Sequence, residues 1–265
     1  MKKISIIIPC FNEEKGIGQV ISDIPREKLK NLGYHTDILV IDNNSTDHTA
    51  KIARKLGVKV IIARDQGKGH ALRTGFKHIS ADTDYVVMLD GDDTYKPGEI
   101  PRLIEPLESG FCDVVIGSRL EGKITGTSLS PSHRLANWYY TFFTRTFYLT
   151  NMTDTCTGYF AWKKTVIDNL VDYIESPGFA VEAEMITKMA RLGYKIYSVP
   201  ITYDNRQGES KLSPVADGLK IAWMLIKNLG WQPDTSDAPV SGSFEPTVNE
   251  SLENDFSKTQ YKILR

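Results

Sequence analysis

Near the start of the chain, residues 4–14 read ISIIIPCFNEE: an apolar run, a proline, then a polar turn carrying two acids. A basic pair followed by apolar residues resembles a secretory leader only superficially. The run is far shorter than the ~18 apolar residues a membrane span needs, Pro9 and Glu13–Glu14 break it, and no small-residue cleavage site follows. Ile4–Ile8 therefore reads as a buried first strand, and Lys15–Ile24 behind it as a helix. The same unit recurs along the first half. Strand-like runs stand at Thr36–Ile41, Val58–Ala63, Tyr85–Leu89 and Asp113–Ile116, with helical patterns at Asp47–Leu56 and Gly69–His78. Continuous apolar strands alternating with helices predict an α/β fold, a mostly parallel sheet with helices on both faces. In such sheets the ligand crevice lies beyond the carboxyl ends of the strands, which is where the polar motifs fall here.

The second half is less regular. Residues 133–149 are rich in aromatics, and 180–191 and 214–229 have amphipathic helical spacing. From about Pro233 the composition turns to Pro, Ser and acids without periodicity, so 233–265 is expected to be a disordered tail, with Tyr261–Leu264 as a docking patch. The expected organisation is one domain over 1–232, in two halves (1–120 and 121–232), and then the tail.

Composition limits the function. Among 265 residues, 32 Lys+Arg balance 33 Asp+Glu for a formal net charge of -1, which argues against bulk nucleic-acid binding. Cys10, Cys112 and Cys156 lie far apart with no CxxC, so neither a disulfide scaffold nor a zinc module is expected, and a reducing compartment fits. Without a spanning segment, the expected location is cytoplasmic or peripheral to a membrane.

The strongest local signal is Asp90-Gly91-Asp92-Asp93, directly after the strand YVVML. Carboxylates at a strand end, with a glycine for the bend, suit Mg²⁺ or Mn²⁺, which prefer hard oxygen ligands and bind partly through substrate phosphates. A solvated acidic turn is the plain alternative. The company of this motif weighs against that alternative. In order, each after an expected strand, stand IIPCFNEE, IDNNSTD, ARDQGKGHALRTGF, DGDDTYKP and IGSR, with NRQGESKL later.

This ordered set resembles the family 2 glycosyltransferases of the GT-A fold, and more narrowly the dolichyl-phosphate mannose and glucose synthases, over roughly residues 4–230. The resemblance implies a Rossmann-like nucleotide-diphospho-sugar transferase fold. It implies that Pro9, Phe11 and Glu13 line the base and ribose, with Asp42 and Asn43 contacting the base. Many relatives have Tyr at Phe11 and Asp at Asn43, so the base is not carried over. Asp90, Gly91 and Asp92 would hold the nucleotide sugar, with Asp90 and Asp92 as the metal ligands. Thr94 stands where some relatives have Gln. Arg119 would face the phosphates, with Arg119, Arg134 and Ser210 receiving an acceptor phosphate. Arg206, Ser210 and Lys211 belong to a loop that closes on the donor diphosphate. Arginine offers a planar fork for phosphate and lysine a compact charge.

Other features are less specific. The glycines around Lys68 do not have Walker spacing, so Gly67–Gly75 reads as a tight turn into a helix, with Lys68 and Arg73 open between donor contact and packing. The histidines show no zinc pattern. Glu182 and Glu184 precede an apolar helix. Glu182 is a candidate site residue, needed as a base only if the acceptor is a hydroxyl. Trp138, Tyr139, Tyr140, Phe142, Phe143, Phe147 and Tyr148, with Arg134 and Arg145, suit a membrane interface, as do Leu219, Trp223, Ile226 and Leu229 beside Lys220 and Lys227. Packing on the core or against a second copy in a homo-oligomer is the alternative. The reading is an inverting hexosyltransferase, metal-dependent, moving a sugar from a nucleotide-sugar donor to a polyprenyl or dolichyl phosphate at the cytoplasmic face of a membrane. Its rivals are a hydroxyl acceptor, a nucleotidyltransferase and a non-catalytic binding partner. A nucleotidyltransferase would show a Gly-rich basic motif where FNEE stands, and intact Asp90, Asp92, Arg119, Arg206 and Lys211 speak against a decayed site.

Overall fold

A computed structural model describes residues 1–126, 128–206 and 213–233. At its centre is a seven-stranded sheet: β1 (Lys2–Cys10), β2 (Tyr34–Asp42), β3 (Lys59–Ile62), β4 (Tyr85–Met88), β5 (Val114–Ile124), β6 (Phe160–Lys163) and β7 (Ile196–Tyr203), in the order β3-β2-β1-β4-β6-β5-β7. The first four pair in parallel, Ile6 of β1 lying beside Ile38 of β2 and Val87 of β4. β6 alone is reversed, antiparallel to both β4 and β5, while β5 and β7 pair in parallel.

The period of two along β1 divides the core. Ile4, Ile6 and Ile8 join one apolar cluster and Ile7 the other. The first cluster is covered by α1 (Ile17–Asp23), α3 (Thr49–Lys55) and α5 (Ile100–Glu108). The second is covered by α4 (Lys68–Lys77), α7 (Lys164–Leu170) and α8 (Val181–Arg191). A short α2 (Arg26–Asn31) leads into β2. All the strands expected from sequence are present. β6, β7, α5 and α7 are additional.

Beyond the sheet, α6 (Pro131–Tyr148) and α9 (Pro214–Lys227) pack with α8 around a third cluster that includes Ala183, Ile221 and Leu225. α6 is built inside out. Its buried stripe is Asn137, Thr141, Thr144 and Tyr148, whereas Trp138, Tyr139, Phe142 and Phe147 are exposed. The buried polar groups are satisfied: Asn137 Nδ2 donates to Asp154 Oδ1 at 2.7 Å, and the Thr141 and Thr155 hydroxyls meet at 3.2 Å. α9 likewise exposes Val215, Leu219, Trp223 and Ile226. No helix among the described residues is long and apolar enough to cross a membrane. The expected tail beyond Pro233 lies outside the described residues.

Candidate active site

Three loops at the carboxyl ends of β1, β2 and β4 converge. Each turns through a residue in the left-handed region: Asn12 (φ 55°), Asn44 (φ 61°) and Asp93 (φ 64°). Asn and Asp tolerate that conformation better than other residues with a side chain. The loops touch backbone to backbone. A Cβ on Gly16 would fall 2.7 Å from the Gly91 carbonyl oxygen, and one on Gly91 would fall 2.5 Å from Cys10 Sγ. The acidic turn is thereby seated against the end of β1. Asp92 is oriented from within its own turn, its Oδ1 accepting from Thr94 N at 3.1 Å and Thr94 Oγ1 at 2.7 Å.

Two cavities open here. The first, about 390 Å³, is lined by Pro9, Phe11, Glu13, Asn43, Gln66, Gly67, Ala71 and Gly91 among others. The second, about 310 Å³, runs between α6 and α9 past Leu129, His133, Asn137, Tyr140, Gly218 and Ile221. Lys68, Asp90, Asp92, Phe179 and Arg206 line both.

That shared wall is a charge network. Lys68 Nζ lies 2.7 Å from Asp90 Oδ1 and 2.6 Å from Glu182 Oε1. Arg206 spans Glu13 Oε1 at 2.5 Å and Asp92 Oδ2 at 3.1 Å. Burial, with the Asp90 charge adding to it, raises the pKa of Asp92 above its ordinary value, against the opposing pull of Arg206. Burial likewise raises that of Glu182, with Lys68 opposing. Lys68 is desolvated too, yet its two carboxylate partners hold it firmly protonated.

The structure brings Pro9, Phe11, Glu13, Asn43, Asp90, Gly91, Asp92, Glu182 and Arg206 into the walls of these two connected cavities. Other expected residues sit differently. Asp42 lines neither cavity; it is buried, and its Oδ1 has no hydrogen-bond partner. Asn43 spends its amide on the next loop, donating to Asp65 O at 2.6 Å and accepting from Gly67 N at 2.6 Å. Arg119 lines only the second cavity. Its guanidinium is committed to Asp154, at 2.8 Å and 2.9 Å, and to the Cys156 carbonyl at 2.5 Å. A fully buried carboxylate thus occupies the fork of the arginine expected to face the phosphates. Arg134 is exposed in the first turn of α6 and lines neither cavity. Ser210 and Lys211 lie outside the described residues.

Lys68 and Asp154 are the residues that sequence reasoning undervalued. The glycines flanking Lys68 were the available signal; nothing local marked Asp154, which meets Arg119 across 35 positions. As for a cation, no group of three or more His, Cys, Asp or Glu side chains among the described residues is arranged to hold one. Asp90 and Asp92 offer two hard-oxygen side chains whose mutual repulsion a divalent ion would relieve. This donor set fits Mg²⁺ or Mn²⁺, whose remaining positions go to water and substrate phosphate.

A mostly parallel sheet thus carries acidic and basic groups at its switch region, where the first cavity meets the second, the arrangement of an α/β ligand-binding enzyme. Residues 5–171 match the family model for glycosyl transferase family 2. The chain is 32% identical over 227 residues to a dolichyl-phosphate hexose transferase of Haloferax volcanii, covering 84% of this chain and 92% of that protein. It is also 32% identical over 230 residues to the low-salt glycan biosynthesis hexosyltransferase Agl6 of the same organism, covering 86% of this chain but spanning only 54% of that protein's length. Its fold is like that of glucosyl-3-phosphoglycerate synthase of Mycobacterium tuberculosis, crystallised with Mn²⁺, UDP-glucose and phosphoglyceric acid: TM-score 0.66 and 23% identity, over 88% of this chain and 81% of that one. The chain belongs to glycosyl transferase family 2, and its fold is GT-A.

Proposed function

We propose that this protein is an inverting hexosyltransferase that moves one hexose or N-acetylhexosamine from a nucleotide sugar to a polyprenyl or dolichyl phosphate. GDP-mannose, UDP-glucose and UDP-N-acetylglucosamine are the candidate donors. The observation that carries this reading is the wall shared by two cavities. A donor in the first and an acceptor in the second would meet at Lys68, Asp90, Asp92 and Arg206. The second cavity joins the charged wall to Leu129, Tyr140, Phe179 and Ile221, between two helices with exposed aromatic faces, and this supports an acceptor with a phosphate head and a lipid tail. So does the name of the Haloferax hexose transferase.

In this reading Pro9, Phe11, Glu13 and Asn43 hold the base and ribose, with Asp42 supporting them from beneath. Asp90, Gly91 and Asp92 hold the diphosphate end. Arg206 exchanges its carboxylate partners for the diphosphate, aided by Lys211. A divalent ion on Asp90 and Asp92 would supply charge stabilisation to the departing diphosphate. An acceptor phosphate oxygen attacks the anomeric carbon as the bond to the nucleotide diphosphate breaks, with inversion. That oxygen is already ionised near neutral pH (second pKa about 6), so no general base is required. Arg134 and Ser210 meet the acceptor phosphate, and Arg119 adds its charge from the wall. Catalysis rests on positioning and electrostatics. α6 and α9 rest on the cytoplasmic surface of a membrane through their outward aromatic faces.

The test incubates purified protein with each radiolabelled nucleotide sugar, a polyprenyl phosphate and Mg²⁺ or Mn²⁺, and counts label extracted into organic solvent. Label from one donor, lost with EDTA and in Asp92→Ala, is expected. Binding of a nucleotide sugar without any lipid-soluble label would redirect the reading to a hydroxyl acceptor, with Glu182 as base.

A further inference from the structure

A third cavity has no part in the transfer reading. It is an open groove of about 780 Å³ between α6, the loop that follows it and the outer part of β5, and it shares no lining residue with the two cavities at the charged wall. α6 stands between: Asn137 and Tyr140 line the second cavity, Trp138, Phe142 and Arg145 the groove. The groove is in place before any ligand arrives. Thr153 N donates to Ser198 Oγ at 2.8 Å, Thr153 Oγ1 donates to Ser118 Oγ at 2.9 Å, and Asn151 bridges to Tyr197 of β7.

Two kinds of side chain line it. Trp138 and Phe142 are exposed, their rings stacked at 5.8 Å, and α6 ends at Leu149, which takes φ 54° where glycine or asparagine is usual and is 88% exposed. Beside these apolar groups stand Arg145 and Glu121, neither side chain having a hydrogen-bond or ion-pair partner among the described residues. Thr150 on the same wall is buried, yet its Oγ1 has no partner, against the rule that buried polar atoms are paired. Each group asks for a different complement. A guanidinium only donates and forks onto phosphate oxygens, a carboxylate only accepts, and an exposed apolar patch marks a contact surface. We infer that this groove binds a membrane phospholipid other than the acceptor: Arg145 and the Thr150 hydroxyl take its phosphate, Glu121 takes an ammonium further along the headgroup, and Trp138, Phe142 and Leu149 take its chains. The inference rests on the reading that α6 faces a membrane, not on the identity of the donor or the acceptor.

Titration calorimetry on the full chain tests this with dihexanoyl phosphatidylethanolamine and dihexanoyl phosphatidylcholine, each below its micelle concentration. The two share phosphate, chains and net charge, but only the first carries N–H donors for a carboxylate. Wild type is expected to bind the ethanolamine lipid about tenfold tighter or more, the scale of one charge-assisted hydrogen bond. Glu121→Gln is expected to erase that preference while leaving the choline lipid within about twofold. Arg145→Gln is expected to weaken both lipids about tenfold. Both side chains are exposed, so neither variant should shift the melting temperature. Saturating farnesyl phosphate, a short prenyl phosphate, is expected to leave the ethanolamine lipid bound. Its displacement would place the lipid in the second cavity and overturn the inference. Equal affinity of wild type for the two lipids, or affinities unchanged in both variants, would also overturn it. So would glycerophosphoethanolamine or inorganic phosphate binding as tightly as the lipid, since the apolar rim would then have no task. Because the titration contains no nucleotide sugar and measures no transfer, failure of this site and failure of the transfer reading are told apart.

Discussion

Asp92 carries a conflict that its neighbours do not fully resolve. Burial and Asp90 raise its pKa from the ordinary 3.8, so the folded protein holds the proton more tightly than the unfolded chain. Such a group adds stability below 3.8, and that contribution is lost as pH rises through the folded-state value. Asp92→Asn in EDTA is therefore expected to gain in melting temperature over wild type as pH is raised from 3.8 toward neutrality. Transfer activity is expected to fall at least a hundredfold in the same variant. A stability difference that is flat with pH would refute the assignment. Asp154 poses the opposite case. It is fully buried and holds the Arg119 guanidinium, so Asp154→Ala strands a buried charge and is expected to cost about 3–5 kcal/mol in urea unfolding. Sequence exposed these two residues unequally. Asp92 announces itself by a strand end and a repeated carboxylate. Asp154 sits in TDTCTG with no periodicity around it, and only the fold carries it to Arg119.

At the scale of elements, β1, β2 and β4 were legible because apolar runs buried on both faces leave little ambiguity, whereas β3 is half exposed and was marked by its Val and Ile residues alone. β6 was not, because FAWK is four residues long and is followed at once by a helix. α6 is the instructive element. Its aromatics read equally as core or interface, and the structure divides them: Tyr148 is buried and Tyr140 and Phe143 pack against the third cluster, while the polar stripe of Asn137, Thr141 and Thr144 leaves Trp138, Tyr139, Phe142 and Phe147 facing outward. Trp138, Phe142 and Trp223 are 53%, 58% and 64% exposed, so replacing all three by Ser is expected to leave the melting temperature nearly unchanged. Binding to vesicles containing anionic lipid is expected to drop at least tenfold, since burying one large apolar side chain is worth about 1.5–3 kcal/mol. If light scattering instead shows a wild-type dimer that this variant loses, the face belongs to a second copy. Gly69→Ala probes the junction of α4 and α8. The collision with Ser176 O is expected to destabilise the fold by about 1–3 kcal/mol and to loosen Lys68 from Glu182.

For the whole molecule, Trp231 packs edge-on against Tyr173 at 5.0 Å and lies near the Lys188 ammonium, tying the end of the described chain back to the second core cluster. A chain ending at residue 233 is therefore expected to keep wild-type stability and transfer activity, whereas one ending before Trp231 is expected to lose stability. Equal melting temperatures for the two truncations would show that this contact is dispensable. The charge network at the shared wall reaches further. Among the described residues, Glu13, Asp90, Asp92 and Glu182 gather around Lys68 and Arg206, a carboxylate-rich wall that suits an incoming divalent ion. Loading such a wall would be an ion exchange: an incoming cation would satisfy the carboxylates and free Arg206 for the diphosphate. The affinity for a metal–nucleotide sugar should then change little with ionic strength, while a nucleotide sugar offered without its metal should be repelled, most strongly in dilute salt.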